Sequence, residues 1–224
     1  MNKLQLGCGD HAPKGWINTD GSWHVLLAKV PGMHKVLGKL GTFSVSTSGW
    51  AGDIRHVDLR KRLPFGDAQF EAIYSSHVLE HLHRDEALRL LQECFRCTKP
   101  GGVVRMAVPN LARYIEDYLA GVVSRRAPAA SPADSFMERL MMRPPMAPRH
   151  KTPVHAFYEV KMDFNSHKWL YDEASLCQLF RDAGFAKPYR CAALESASPH
   201  MQEVERPERL GGDQTLIVEA RREA

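Results

Sequence analysis

The chain predicts an α/β fold, a doubly wound and mostly parallel sheet of seven strands, and three observations predict it. A short apolar run, Leu4-Gln5-Leu6, opens into Gly7-Cys8-Gly9-Asp10 and returns as Trp16-Ile17-Asn18-Thr19-Asp20, which reads as strand, glycine turn, strand, acid. Farther along, short strand-like runs alternate with helical periodicity. Lys99-Pro100-Gly101-Gly102 then ends the longest helical pattern just before the apolar run from Val103 to Val108. Proline cannot continue a helix, and glycine suits the left-handed turn beyond its end.

Each element follows in order. Glycines after a strand let backbone amides approach a ligand, because no Cβ intervenes and φ can turn positive. An acid at the end of the next strand can accept hydrogen bonds from ribose hydroxyls, the adenosine-binding logic of α/β sheets. Asp20 follows Gly9 by only eleven residues, whereas a dinucleotide fold places a helix between them and its acid about twenty residues on. Pro13 and Gly15 leave little room for that helix. The spacing therefore favours an adenosine ligand without a phosphate, of which S-adenosylmethionine is the obvious one.

Between Trp23 and Leu40, the residues Leu26, Leu27, Val30, Met33, Val36, Leu37 and Leu40 recur at helical intervals, interrupted by Pro31-Gly32. They predict one broken or two short helices packed on the sheet, with a lipid-facing amphipathic element and a peripheral membrane contact as the alternative. Residues 42–52 read as a Ser/Thr/Gly loop, and Ile54 to Leu59 as a strand carrying a second acid, Asp58. Phe70 to Tyr74 is a further strand, running into Ser75-Ser76-His77 and a long helix from about Val78 to Cys97. After Val108 a helix is expected over Leu111 to Val123, then an Ala/Pro/Ser linker and a stretch rich in Met, Arg and Pro. The region from Leu111 to Lys168 thus reads as a lid or helical insertion after the fifth strand. Asp172 can cap a helix running to about Ala183, which Gly184 ends, and two strands, Arg190 to Glu195 and Gln214 to Ala220, close the chain.

A length of 224 residues suits one domain, 1–224. Hydrophobic residues at 44% and aromatics at 8% fit an ordinary soluble globule. No apolar run reaches the roughly eighteen residues of a membrane span, and a strand from Lys3 leaves no space for a signal peptide, so a cytoplasmic location is expected. Five irregularly spaced cysteines suggest reduced thiols. Cys94 and Cys97 form a CxxC, but within an apolar helical pattern where small buried side chains belong. A net charge of +4 is too mild to indicate nucleic-acid binding, and none is expected. Its location says more, because residues 111–168 hold nine Lys/Arg against six Asp/Glu. That excess is either a solvated basic face or a site for an anionic acceptor, with Arg143, Arg149 and Lys151 as candidate contacts.

Taken together, LQLGCGD, INTD, HVDLRKRLPF, FEAIYSSHVLEHL, TKPGGVVRMAVPN, HKWLYDEASLCQLFRDAGF and LIVEARR resemble the class I S-adenosylmethionine-dependent methyltransferases. They are most similar to the small predicted methyltransferases associated with cell-surface polysaccharide and glycolipid biosynthesis. The resemblance implies a Rossmann-like methyltransferase fold, S-adenosyl-L-methionine as cofactor and a sugar or glycolipid acceptor. It implies that Gly7 and Gly9, with Cys8 between them, approach the methionyl part of the cofactor, and that Asp20 holds the ribose. Asp58 and Leu59 would meet the adenine, and the backbone at Ser75, Ser76 and His77 would line the pocket near the sulfonium. The chain departs from the commoner pattern in its short first loop, where Asp10-His11-Ala12-Pro13 replace a third glycine.

Methyl transfer from a sulfonium is an in-line displacement with an activated donor, so most of the catalysis can come from positioning. A sugar hydroxyl gains from a general base, and histidine has the right intrinsic pKa. His77, where the fourth strand ends, is the first candidate and His167 the second; either can instead be a packing or surface residue. His77-Val78-Leu79-Glu80-His81 also spells HxxEH, an inverted zinc-peptidase signature. It resembles, too, the ExxEH of O-methyltransferases that use a divalent ion, with His77 in place of the first acid. The strand-end context and the missing acid argue against both, and no metal is expected. A methyltransferase of another small metabolite, a non-catalytic cofactor-binding partner protein and a nicotinamide-dependent oxidoreductase remain as alternatives, the last disfavoured by the short glycine loop.

Overall fold

The computed structural model describes residues 2–22, 25–26, 29–30, 53–124, 131–142 and 166–223. Seven strands form one sheet in the order β3-β2-β1-β4-β5-β7-β6. They are β1 Lys3–Leu6, β2 Ile17–Asp20, β3 Arg55–His56, β4 Phe70–Ser76, β5 Thr98–Pro109, β6 Tyr189–Arg190 and β7 Thr215–Arg221. The first five pair in parallel, and β7 runs antiparallel to both β5 and β6. The fold is thus the doubly wound, mostly parallel seven-stranded sheet that the sequence predicts. Leu4 and Leu6 in β1 and Ala72, Ile73 and Tyr74 in β4 are all buried, as expected of central strands covered on both faces.

One face carries the principal core. Helix α1, Arg84–Cys97, turns Ala87, Leu90, Leu91, Cys94 and Cys97 inward, and they pack with Leu6, Ile73, Val104 and Leu216 of the sheet and with Leu176 and Phe180 of a later helix. The CxxC pair is therefore core, and all five cysteines are free. That later helix, α4 (Glu173–Asp182), starts at Asp172, whose side chain accepts from the Ser175 amide at 2.8 Å, and stops at Gly184, where φ is +109°. Between them lie α2, Leu111–Val123, and α3, Pro132–Leu140. The other face is covered more thinly, by Trp16 and by Met201 and Val204 of the one-turn helix α5, Met201–Val204. A second one-turn helix, α6 (Pro207–Leu210), follows with proline in its first turn and Gly211 in the left-handed region.

Three elements differ from the sequence expectation, one of them the strand expected over Arg190 to Glu195, which is only Tyr189–Arg190. The long helix from Val78 is broken: Leu79–His81 is a single 3₁₀ turn, Leu82 is extended, and α1 starts only at Arg84. His83 ends the preceding turn in extended backbone, and its amide donates to Glu86 Oε2 at 3.0 Å, so a new N-terminus forms where periodicity alone runs on. The third strand is two residues long rather than six. Most of residues 23–40, where helices are expected, and most of residues 125–165 lie outside the described residues, so the extent of the expected lid does too. Among the described residues no helix is long and apolar enough to cross a membrane.

Arg105 in β5 anchors the loop that follows β6. Fully buried, it donates from Nε to Glu205 Oε1 at 2.6 Å and from Nη1 to Glu219 Oε2 at 3.1 Å, and it also reaches the Ala192 and Glu195 carbonyls at 2.7 Å each. Removing one partner from such a buried cluster costs about 3–5 kcal/mol. Through Glu205 the cluster holds the start of α6 over the sheet.

Candidate functional site

The chain runs outward from β1 to β2 and β3, then returns to β4 on the other side of β1. Open α/β sheets bind ligands at that reversal, outside the carboxyl ends of the strands. There a cleft of about 600 Å³ opens, within the range of small-molecule sites. Gly7, Cys8, Gly9, Asp20, Asp58, Leu59, Ser76 and His77 all line it. Ser75 does not: it is buried, and its hydroxyl donates to the Leu6 carbonyl at 3.1 Å, tying β4 to β1. His167 is also absent from the lining.

The turn after β1 needs both its glycines. Gly7 has φ +66°, and a Cβ there would lie 2.2 Å from Val78 Cγ2. Gly9 has φ +58°, and no described residue comes within 4 Å of where its Cβ would be, so a side chain at this position would extend toward the cleft it lines. The Cys8 amide donates to the Thr19 carbonyl at 2.9 Å, which docks the turn on β2. Asp20 then receives the Gly9 amide on Oδ2 at 2.9 Å and the Ser22 amide on Oδ1 at 2.7 Å. A carboxylate accepts about four hydrogen bonds, so capacity remains for ligand hydroxyls. The Cys8 thiol is pushed up to about 12 by burial and by Asp20, which keeps it protonated and non-nucleophilic.

Asp58 is held by Arg60, whose Nε reaches Oδ1 at 2.9 Å and whose Nη2 reaches Oδ2 at 3.0 Å. That bond keeps the Asp58 carboxyl below the usual carboxylate range, against the opposing effect of burial. The acid at the cleft is thus ionised at neutral pH and fixed in orientation.

His77 sits at φ +54°, a strained value for a residue other than glycine. Its amide donates to the Ala107 carbonyl at 2.9 Å. Its Nδ1 lies 3.2 Å from Glu80 Oε1, and its Nε2 lies 3.5 Å from Thr215 Oγ1. His81 lines the cleft as well. His167 is buried with its ring centroid 5.0 Å from that of His81 and its Nδ1 2.8 Å from the Leu140 carbonyl. Burial lowers its pKa below the ordinary histidine value. It is reached from the cleft through His81 rather than directly.

Sequence reasoning missed His11, Arg206 and Arg209, which line the same cleft. Arg209 Nη1 is 3.4 Å from Asp10 Oδ1. Burial, and then the nearby Arg206, hold His11 below the ordinary histidine pKa. Pro207 and Gly211 bracket α6 legibly, but nothing local says that the helix lies against residues 10 and 11. The earlier candidates for acceptor contacts, Arg143, Arg149 and Lys151, lie outside the described residues.

A family model described as "Methyltransferase domain" matches residues 4–106, from β1 into β5. Over 58 residues the chain is 43% identical to a protein of Mycolicibacterium smegmatis named a probable S-adenosylmethionine-dependent methyltransferase. That alignment covers 26% of this chain and 21% of the relative, about a fifth of its length. Among solved structures, the chain is similar to an S-adenosylmethionine-dependent methyltransferase from Mesorhizobium loti, with 18% identity, a TM-score of 0.48, and 99% of this chain and 90% of that one covered. It is similar also to a SAM-dependent methyltransferase from Archaeoglobus fulgidus, with 16% identity, a TM-score of 0.47, and 98% and 85% covered. The match to the methyltransferase family model thus spans β1 to β5, just under half of the chain.

Proposed function

We propose that this chain is an S-adenosylmethionine-dependent methyltransferase and that it methylates a hydroxyl oxygen of an anionic sugar or glycolipid intermediate. The observation that carries the reading is the composition of one cleft. It joins the glycine turn, Asp20 and Asp58 to His77 and to the cationic pair Arg206 and Arg209. The space at Gly9, clear of described residues, fits a cofactor passing close to the backbone, and Asp20 and Asp58 would hold its ribose and adenine.

When bound, the cofactor supplies an activated methyl group on a positively charged sulfur. The chain's residues position the acceptor and take its proton. Arg206 and Arg209 would pair with a phosphate or carboxylate of the acceptor, fixing the distance and angle on which an in-line displacement depends. His77 would accept the hydroxyl proton at Nε2 while Glu80, beside its Nδ1, stabilises the imidazolium that forms. His167 would support that wall of the site from behind His81.

The test is transfer of labelled methyl from S-adenosylmethionine into extracted glycolipids and nucleotide sugars. The expected product carries an alkali-stable methyl ether on a charged sugar. An alkali-labile ester, or label only in uncharged or nitrogen acceptors, overturns the acceptor assignment. Tight cofactor binding with no transfer into any fraction would point to a non-catalytic partner protein instead.

A further inference from the structure

Glu80 is completely buried, and among the described residues neither of its carboxylate oxygens accepts a well-aligned hydrogen bond. A carboxylate in that condition is costly unless a cation compensates it. Its neighbours include three imidazoles, and its charge also reaches Tyr114 and Tyr171. Donor atoms of Glu80, His81 and His167 all lie within 4.8 Å of one another, and His77 Nδ1 is 3.2 Å from Glu80 Oε1.

The two distal rings are already oriented by the backbone. His167 Nδ1 lies 2.8 Å from the Leu140 carbonyl and His81 Nδ1 lies 3.3 Å from the Ser166 carbonyl. A carbonyl only accepts, so each Nδ1 carries the hydrogen and each Nε2 keeps its lone pair, the tautomer of a metal-ligating histidine. The segment is also latched in place, because the Lys168 and Trp169 amides both donate to the Glu80 carbonyl, at 2.6 and 3.2 Å, and the His167 amide donates to the Met141 carbonyl at 2.9 Å.

We propose that Glu80, His81 and His167 form a binding site for one divalent transition-metal ion of the zinc, manganese or iron(II) class. Two imidazoles and a carboxylate are a donor set for such ions, and three protein ligands leave a coordination position open. A tetrahedral site with bonds of about 2.0–2.1 Å places donors about 3.3 Å apart, so the three side chains draw together modestly on binding. The sequence expectation of no metal rested on the strand-end context and on the missing first acid of ExxEH. The fold instead supplies a third ligand, His167, from far along the chain. His81 lines the cleft, so the open position is available to the acceptor. In that role, which rests on the methyl-transfer reading, the ion polarises the acceptor hydroxyl: the O–H bond breaks with its proton passing to His77. The new O–CH₃ bond forms as the S–CH₃ bond breaks, leaving a neutral thioether.

The experiment uses the purified full chain, stripped with a chelator and titrated with Zn²⁺, Mn²⁺ and Co²⁺ by calorimetry, with the visible spectrum of the Co²⁺ form recorded. Stoichiometric binding is expected, together with Co²⁺ ligand-field bands. Glu80→Gln and His167→Gln should each weaken binding by at least about tenfold, the loss of about 1.4 kcal/mol, while S-adenosylhomocysteine affinity stays within about threefold. A wild-type protein that binds none of the three ions, or ion binding that persists unchanged in both variants, overturns the proposal. The wild-type titration decides even if a variant fails to fold. Retained S-adenosylhomocysteine binding without any ion site leaves the methyl-transfer reading standing; its loss sinks that reading whatever the ion does.

Discussion

Replacing Gly7 with alanine separates two costs that the glycine turn avoids. The first is conformational: at φ +66° a Cβ costs roughly 1–2 kcal/mol in the left-handed region. The second is steric, because the new atom would fall 2.2 Å from Val78 Cγ2, and overpacking of this kind costs roughly 1–3 kcal/mol. Together they amount to about 2–5 kcal/mol, which for a chain of this size lowers Tm by about 4–20 °C. Gly9→Ala carries only the conformational cost, since its Cβ meets no described residue within 4 Å; the expected loss is about 1–2 kcal/mol. Its larger effect should be on the cofactor, whose space the methyl group takes. Thermal unfolding of both variants, with Val78→Ala added to close a double-mutant cycle, measures the difference. Val78→Ala should recover roughly 1–3 kcal/mol of coupling with Gly7→Ala and none with Gly9→Ala. Equal destabilisation by the two glycine substitutions, with no coupling to Val78, would refute the reasoning.

Asp20→Ala removes the acceptor for both the Gly9 and Ser22 amides; calorimetry should show S-adenosylhomocysteine affinity falling by more than about tenfold. Arg206→Ala combined with Arg209→Ala should leave that affinity within about threefold and raise the acceptor KM by at least about tenfold, an effect that shrinks in high salt; steady-state kinetics at two salt concentrations check it. His11 has a folded pKa below its ordinary value, so the unfolded chain binds its proton more readily. This contribution to stability is therefore present at neutral pH and lost as pH falls from about 6.5 through the lowered folded value. Tm measured from pH 7.5 to 5.5 should fall less steeply in His11→Gln than in the wild type.

The parts of the fold that local pattern could show were those with short-range causes. Helix α2 has the bounds its periodicity predicts, Leu111–Val123, and Asp172 caps α4 through its own neighbour Ser175. The glycine turn and Asp20 meet across eleven residues, and their hydrogen bond has that local origin. The break before Arg84 is also local, made by Glu86 three residues from His83, but it competes with an apolar spacing that continues through it. The rest of what stayed hidden depends on distant chain. Arg105 lies within the run from Val103 to Val108, and its pairing with Glu219 in β7 and with Glu205 in the loop above explains a charge there. Likewise His11 and Arg206 come together because that loop folds back over the sheet. Glu80 belongs to the HxxEH run, and its complete burial comes from packing that no local pattern shows.

The cofactor site is the centre of the functional reading, and calorimetric titration of the purified chain with S-adenosylhomocysteine and, separately, with a nicotinamide dinucleotide tests it most directly. One S-adenosylhomocysteine per chain, with binding lost in Asp20→Ala and no heat from the dinucleotide, is the predicted result. Preferential binding of the dinucleotide, or S-adenosylhomocysteine affinity indifferent to Asp20, would contradict it.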